Sequence, residues 1–183
     1  MPEKSTPSDM ALPLLLEENL RLHAIGAEIF APFVIERLGG GNEITSAELT
    51  VILTDAEGQE QTKGVHLVWK PQSASLKPLA VQERVKTEWG ALGIACALIP
   101  SLLGLRVLSV ALEGERFDYR IGTEDEEWGL EVSGTLSESS DELRERHRLK
   151  TRQLQQNPAR LNGYVVVVGF TRREVLISLH SPF

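Results

Sequence analysis

The spacing of apolar positions changes period several times along the chain, and each change marks an element. Residues 11 to 38 are rich in apolar side chains and lack a clean alternation; they predict an N-terminal helix broken near Pro32, running into a loop at Gly39-Gly40-Gly41. No Gly-Lys-Ser/Thr follows these glycines, so they are not a phosphate-binding loop. Leu49, Val51 and Leu53 then alternate with Thr50, Ile52 and Thr54, and Val65, Leu67 and Trp69 alternate on the far side of a turn at residues 55–59. This pattern predicts an antiparallel hairpin over residues 44–70, placed as an extension outside the main sheet. Residues 71–78, with two prolines and two serines, read as a linker.

Beyond residue 79 the period lengthens. Val81, Val85, Leu92, Ala95 and Ile99 form a helical stripe that predicts a helix over residues 80–99, stopped by Pro100. Strands are predicted at 105–112, 116–121 and 128–135. A charged helix capped by Ser139 or Ser140 should follow and end before Asn157-Pro158. Gly163 to Phe170 holds four consecutive valines between aromatics, which predicts an internal strand buried on both faces; Val175 to His180 is the last strand. The order α-β-β-β-α-β-β predicts an α/β fold, a mixed sheet flanked by helices. The predicted organisation is a tail at 1–10 and one domain over 11–183, in which an N-terminal helix and hairpin (11–78) precede the core (79–183).

Composition narrows the class. With 42% hydrophobic and 25% charged residues among 183, the chain is ordinary globular protein. The most apolar stretch, Ala91 to Leu103, is interrupted by Gly93 and Pro100, so no membrane span is expected. The N-terminal residues make a poor signal peptide, which leads to the expectation of a cytoplasmic protein. Cys96 is the single cysteine, which excludes an internal disulfide and a cysteine-based zinc site. The net charge of -7 argues against tight autonomous binding to nucleic acid, but not against an enzyme with acidic metal ligands or a subunit acting with a protein partner or as a homo-oligomer.

Three acids stand out by position. Glu88 shares a helical face with Leu92, Ala95 and Ile99. Asp118 falls in a predicted strand, opposite in face to Phe117, Tyr119 and Ile121. Glu131, with Ser133 and Thr135, opposes Trp128, Leu130 and Val132. Taken singly, each has an ordinary reading: a helix-end acid, an Asp118–Arg120 surface pair, a half-solvated strand. Taken together, two carboxylates on neighbouring strands fit a hard cation such as Mg²⁺, which takes one or two protein carboxylates plus phosphate and water.

Glu88, Phe117-Asp118-Tyr119, Leu130-Glu131-Val132-Ser133-Gly134, the charged helix and Tyr164-Val-Val-Val-Val-Gly-Phe together resemble the PD-(D/E)xK restriction-endonuclease-like superfamily over about residues 80–180. The resemblance implies a restriction-endonuclease-like fold, Asp118 and Glu131 as metal carboxylates and Glu88 as the first-helix acid. The pattern departs where the family's lysine follows the second acid by two residues, because Ser133 stands there and cannot supply a positive charge. Some relatives place the lysine on the next helix. Here Lys150 lies with Leu143, His147 and Leu154 on the stripe expected to face the sheet, and is the candidate replacement. The alternative is that it extends from a partly apolar face to water. Arg144, Arg146, Arg148 and Arg152 read first as a solvated face paired with local acids, and second as a phosphate-contacting one. Three functional readings follow: a Mg²⁺-dependent nuclease using Asp118, Glu131, Lys150 and Glu88; a catalytically inactive nuclease-like binding or assembly module; or a structural subunit whose hairpin pairs with a partner strand.

Overall fold

The computed structural model describes residues 11–74, 81–136 and 139–183; the expected N-terminal tail and part of the expected linker lie outside them. One mixed eight-stranded sheet carries the chain. Its strands are β1 (Leu12–Leu15), β2 (Ser46–Thr54), β3 (Glu60–Val68), β4 (Arg106–Val110), β5 (Tyr119–Gly122), β6 (Glu127–Thr135), β7 (Gly163–Gly169) and β8 (Glu174–His180), in the order β1-β3-β2-β8-β7-β6-β5-β4. The helices are α1 (Leu16–Leu20), α2 (Ala31–Arg37, after a 3₁₀ turn at Ala27–Phe30), α3 (Pro71–Ala74), α4 (Glu83–Leu103) and α5 (Ser140–Gln155). The protein is thus mixed α/β.

The valine run decides the layering. β7 lies between β6, to which it is parallel, and β8, to which it is antiparallel. Val166 and Val168 pack into the cluster beneath α1, α2 and α4, while Val165 and Val167 pack with Leu143 and Leu154 of α5 on the opposite face. All four valines are at most 1% exposed, as the unbroken apolar run demands. β6, α5 and β7 form a parallel crossover, so α5 lies across the face that Glu131 and Ser133 share with Val165 and Val167.

Four expectations are corrected. The hairpin is antiparallel as predicted, but it is no appendage: β2 pairs in parallel with β8, and β1 covers the second half of β3. Its inward residues Leu49, Val51, Val65 and Leu67 belong to the main core. Pro100 does not stop α4, which continues to Leu103 and ends at Gly104 in the left-handed conformation (φ 68°). A proline there removes the amide that would bond Cys96 O, and His23 Nε2 donates to that carbonyl instead, at 2.7 Å. His23 Nδ1 in turn accepts from Val107 N–H at 2.8 Å, so one imidazole ties α4 to β4. Residues 12–15 form a strand, not the start of a helix. Finally, Asp118 precedes β5 and is not inside it. Because Arg116 has φ 63°, Phe117 falls out of the strand's alternation and packs on the α5 face, away from Tyr119 and Ile121.

Candidate functional site

β5 and β6 are antiparallel with Tyr119 opposite Leu130, so one step outward sets Asp118 opposite Glu131. Asp118 N–H donates to Leu130 O at 2.9 Å, which holds the pairing to its end. Opposed residues of an antiparallel pair project from one face, and like charges placed so are destabilising. Past this point β6 continues to Thr135 while β5 has ended. The next outward amide of β6, Val132 N–H, is taken by Asp118 Oδ2 at 2.9 Å. The strand mismatch therefore opens a cleft at the carboxylates, of about 220 Å³, lined by Glu88, Trp89, Asp118, Tyr119, Ser133 and Lys150 among others.

Helix α5 supplies the cation. Ser139 caps it: its side chain accepts from Glu142 N, and Glu142 reaches back to Ser139 N. Leu143 and Leu154 anchor its inner stripe. Between them Lys150 Nζ donates to Glu131 Oε1 at 2.5 Å. The Lys150 side chain is 29% exposed and that of Glu131 0%. Glu131 Oε2 is buried and meets no donor. Glu88 is exposed at the cleft's rim, paired with Arg84 at 3.2 Å. It is held near because α4 packs tightly on β6: a Cβ at Gly134 would lie 2.8 Å from Ala91 Cβ and 2.9 Å from Thr87 O. The structure thus brings Asp118, Glu131 and Lys150 into one cluster, with Glu88 on its border.

The electrostatics follow from burial. Desolvation, then the neighbouring Asp118 charge, pushes the Glu131 carboxyl up to about 7 against the pull of Lys150. Asp118 is also raised, first by desolvation, while the Val132 amide and Lys150 pull it down. The two carboxyls face each other across β5 and β6, and the Asp118 charge disfavours ionisation of Glu131. Asp118 keeps an open side to water and Glu131 has none, so Glu131 is the one of the two that protonates more readily. Burial, and then Asp118, lift the Tyr119 phenol to about 12; it is a hydrogen-bond donor at neutral pH and no base.

Among the described residues no group of three or more His, Cys, Asp or Glu is placed to hold a metal ion. The cleft offers a smaller set: two opposed carboxylates, one with a buried oxygen that lacks a donor. A divalent cation meets that deficit as well as a proton does, and Mg²⁺ needs only one or two protein carboxylates when phosphate and water complete its shell. The donors fit such an ion.

Other side chains separate from this cluster. Arg120 pairs with Glu115 and, at 2.7 Å, with Glu127, not with Asp118. His147 leans to the opposite flank of α5, where Ser178 Oγ lies 2.5 Å from its Nε2 and 2.6 Å from His180 Nε2. Burial, and then His180, depress His147 to about 4, so it is a neutral structural partner. Arg144 pairs with Glu60 and Arg148 with Glu145, as a solvated face does. Arg146 differs: Nη1 donates to Ser133 Oγ at 3.2 Å. Reading the four arginines of that helix together, first as a solvated face and second as a phosphate-contacting one, did not single it out; the available signal was that Arg146 lies one turn before Lys150. A larger cavity of about 410 Å³, lined by Leu53, Asp55, Leu103, Tyr164 and Leu179, contains none of the clustered residues. No described helix is long and apolar enough to cross a membrane.

Comparison with protein-family models, with curated proteins and with solved structures returned no significant match.

Proposed function

We propose that this chain is a Mg²⁺-dependent nuclease, or a nuclease-like subunit, of restriction-endonuclease-like (PD-(D/E)xK) type, acting on phosphodiester bonds. The observation that carries the reading is the buried Glu131 carboxylate, opposed by Asp118, bonded to Lys150 and left with one oxygen lacking a donor. Such an arrangement costs several kcal/mol in stability, and groups of this kind are retained where chemistry needs them. Asp118 and Glu131 would hold the cation; when bound it polarises the phosphate and lowers the pKa of water. Lys150 would orient the attacking water and offset charge developing on the phosphate, the part left open by Ser133. Glu88, at the rim, adds a carboxylate that can accept a hydrogen bond from water entering the cleft. Tyr119 closes the apolar wall and keeps its proton.

The test is cleavage of labelled DNA and RNA oligonucleotides in Mg²⁺ or Mn²⁺. Asp118→Ala and Glu131→Ala should abolish it, and Lys150→Ala should lower kcat by about 10²-fold or more with metal affinity retained. Activity retained in all three variants overturns the assignment. A second reading is a catalytically inactive binding or assembly module of the same fold. It is favoured by Ser133 at the lysine position and by the net charge of -7. Calorimetric titration separates the two, since a protein that takes up neither Mg²⁺ nor Mn²⁺ at millimolar levels is not the enzyme.

A further inference from the structure

Helix α5 carries five cations in its sequence, and most of those near the cleft have an anion of their own. Arg144 pairs with Glu60, Arg148 with Glu145 and Lys150 with Glu131. Arg146 has no carboxylate partner among the described residues; its guanidinium rests on Ser133 Oγ at 3.2 Å. Ser133 is 7% exposed, so its hydroxyl sits against the sheet, two residues from Glu131 on the same face. Lys150 lines both the carboxylate cleft and an adjoining groove of about 390 Å³, and Arg146 lines that groove with Thr135 and Leu149. Glu142 and Glu145 also face it, but Glu142 is held by Ser139 N and Glu145 by Arg148. Arg146 and Glu142, neither with an ion-pair partner among the described residues, therefore stand on a groove that meets the cleft at Lys150.

We infer that Arg146, seated on Ser133, is a positioning residue that grips the phosphate next to the scissile one as a nucleic-acid strand leaves the cleft along α5. The inference rests on the phosphodiester reading above. A guanidinium suits this task because its fork presents paired donors to phosphate oxygens. Spending one donor on Ser133 fixes its plane and leaves the others free. Ser133 thereby has a use at the very position where the resemblance would call for lysine: it orients a cation and does not carry one. One anchor of this kind is also consistent with an acidic protein, since it grips a strand locally without a broad basic surface.

The experiment measures binding of a fluorescein-labelled single-stranded oligonucleotide by anisotropy, in EDTA at low salt, and cleavage separately in Mg²⁺. Arg146→Ala should weaken binding about fivefold or more and reduce the salt slope by about one, while Arg146→Lys recovers part of the loss. Ser133→Ala should fall between wild type and Arg146→Ala. In cleavage, Arg146→Ala should raise KM with little change in kcat. Arg152→Ala, an exposed cation elsewhere on α5, serves as the control and should bind like wild type. No binding by wild type, equal binding by wild type and Arg146→Ala, or an equal loss in Arg152→Ala overturns the anchor. Binding that depends on Arg146 without any cleavage in Mg²⁺ or Mn²⁺ supports the anchor and sinks the catalytic reading instead. Cleavage with KM unmoved by Arg146→Ala does the reverse.

Discussion

At the scale of single residues, Glu131 sets the terms. Its side chain is wholly buried, one oxygen meets Lys150, and the other meets no donor. An Asp or Glu is almost never placed so without a partner for each oxygen. The sign of the consequence is definite. Burial and Asp118 lift the Glu131 carboxyl from its ordinary value of 4.5 to about 7, so the folded state holds a proton more tightly than the unfolded chain. The resulting stability is fully present below about 4.5 and is lost as pH rises through about 7. Glu131→Gln keeps the shape and removes the charge. It should therefore be more stable than wild type by on the order of 3 kcal/mol at pH 8, and the gap should narrow to about 1 kcal/mol at pH 5. Urea denaturation of both proteins at the two pH values checks this; a gap independent of pH means that Glu131 is ionised without penalty. The depressed histidines act the other way, but they are common to both proteins and cancel in the difference.

At the scale of elements, α4 shows how a tertiary contact overrules a local signal. A proline inside a helix costs about 3 kcal/mol in an exposed setting, partly because a carbonyl one turn back loses its donor. Here His23 supplies that donor to Cys96 O and also accepts from Val107 N–H. Desolvation keeps His23 below its ordinary value, in the neutral form that can do both. His23→Ala should cost about 2–4 kcal/mol, since it leaves two buried backbone groups unpaired. Pro100→Ala in the His23→Ala background returns an amide to Cys96 O and should recover more stability than the same change does in wild type. The coupling should be about 1 kcal/mol in a double-mutant cycle, and strict additivity would disprove the bridge. The same logic separates what was legible in the sequence from what was not. β6, β7, β8 and α5 could be read because each declares its period locally: alternation in Trp128 to Thr135, an unbroken run in Val165 to Val168, a stripe through Leu143 and Leu154. The continuation of α4 past Pro100 could not, because its enabling contact comes from His23, far away in sequence. Nor could the seat of the hairpin, because the parallel register of Thr50 to Thr54 on Glu174 to Ser178 leaves no local mark in either strand. The meeting of Glu131 and Lys150 was legible for the same reason as the elements that carry them, while Asp118 joins them from just before β5 and not from inside a strand. Arg146 was not, because its partner Ser133 was weighed only as a missing lysine.

At the scale of the whole molecule, the cleft exists because strands of unequal length meet between two helical layers. β6 outruns β5, α4 covers one face and α5 the other, and the carboxylates stand where the sheet loses a strand. The hairpin's place in the sheet bears on function as well. With β2 paired to β8 and β1 laid along the second half of β3, the hairpin is built into the main sheet, and β1 with the first half of β3 forms the edge at that end of it. The frame around the site is therefore built by the rest of the chain, and anything bound by the carboxylates is linked to global stability. A cation that binds only the folded protein stabilises it by RT ln(1 + [L]/Kd), about 1.4 kcal/mol at tenfold excess over Kd, or a rise of about 3–6 °C in Tm for a chain of this size. Mg²⁺ or Mn²⁺ should therefore raise Tm relative to EDTA, and Asp118→Asn should erase the rise. Because the ion competes with the proton on Glu131, the rise should be larger at pH 8 than at pH 6. Because Lys150 occupies Glu131 Oε1 in the absence of metal, Lys150→Ala should leave the rise intact or enlarge it. A metal-induced rise that survives in both Asp118→Asn and Glu131→Gln would place the ion elsewhere on the molecule. The absence of any rise, at either pH, would leave the opposed carboxylates without a metal to hold and count against the nuclease reading.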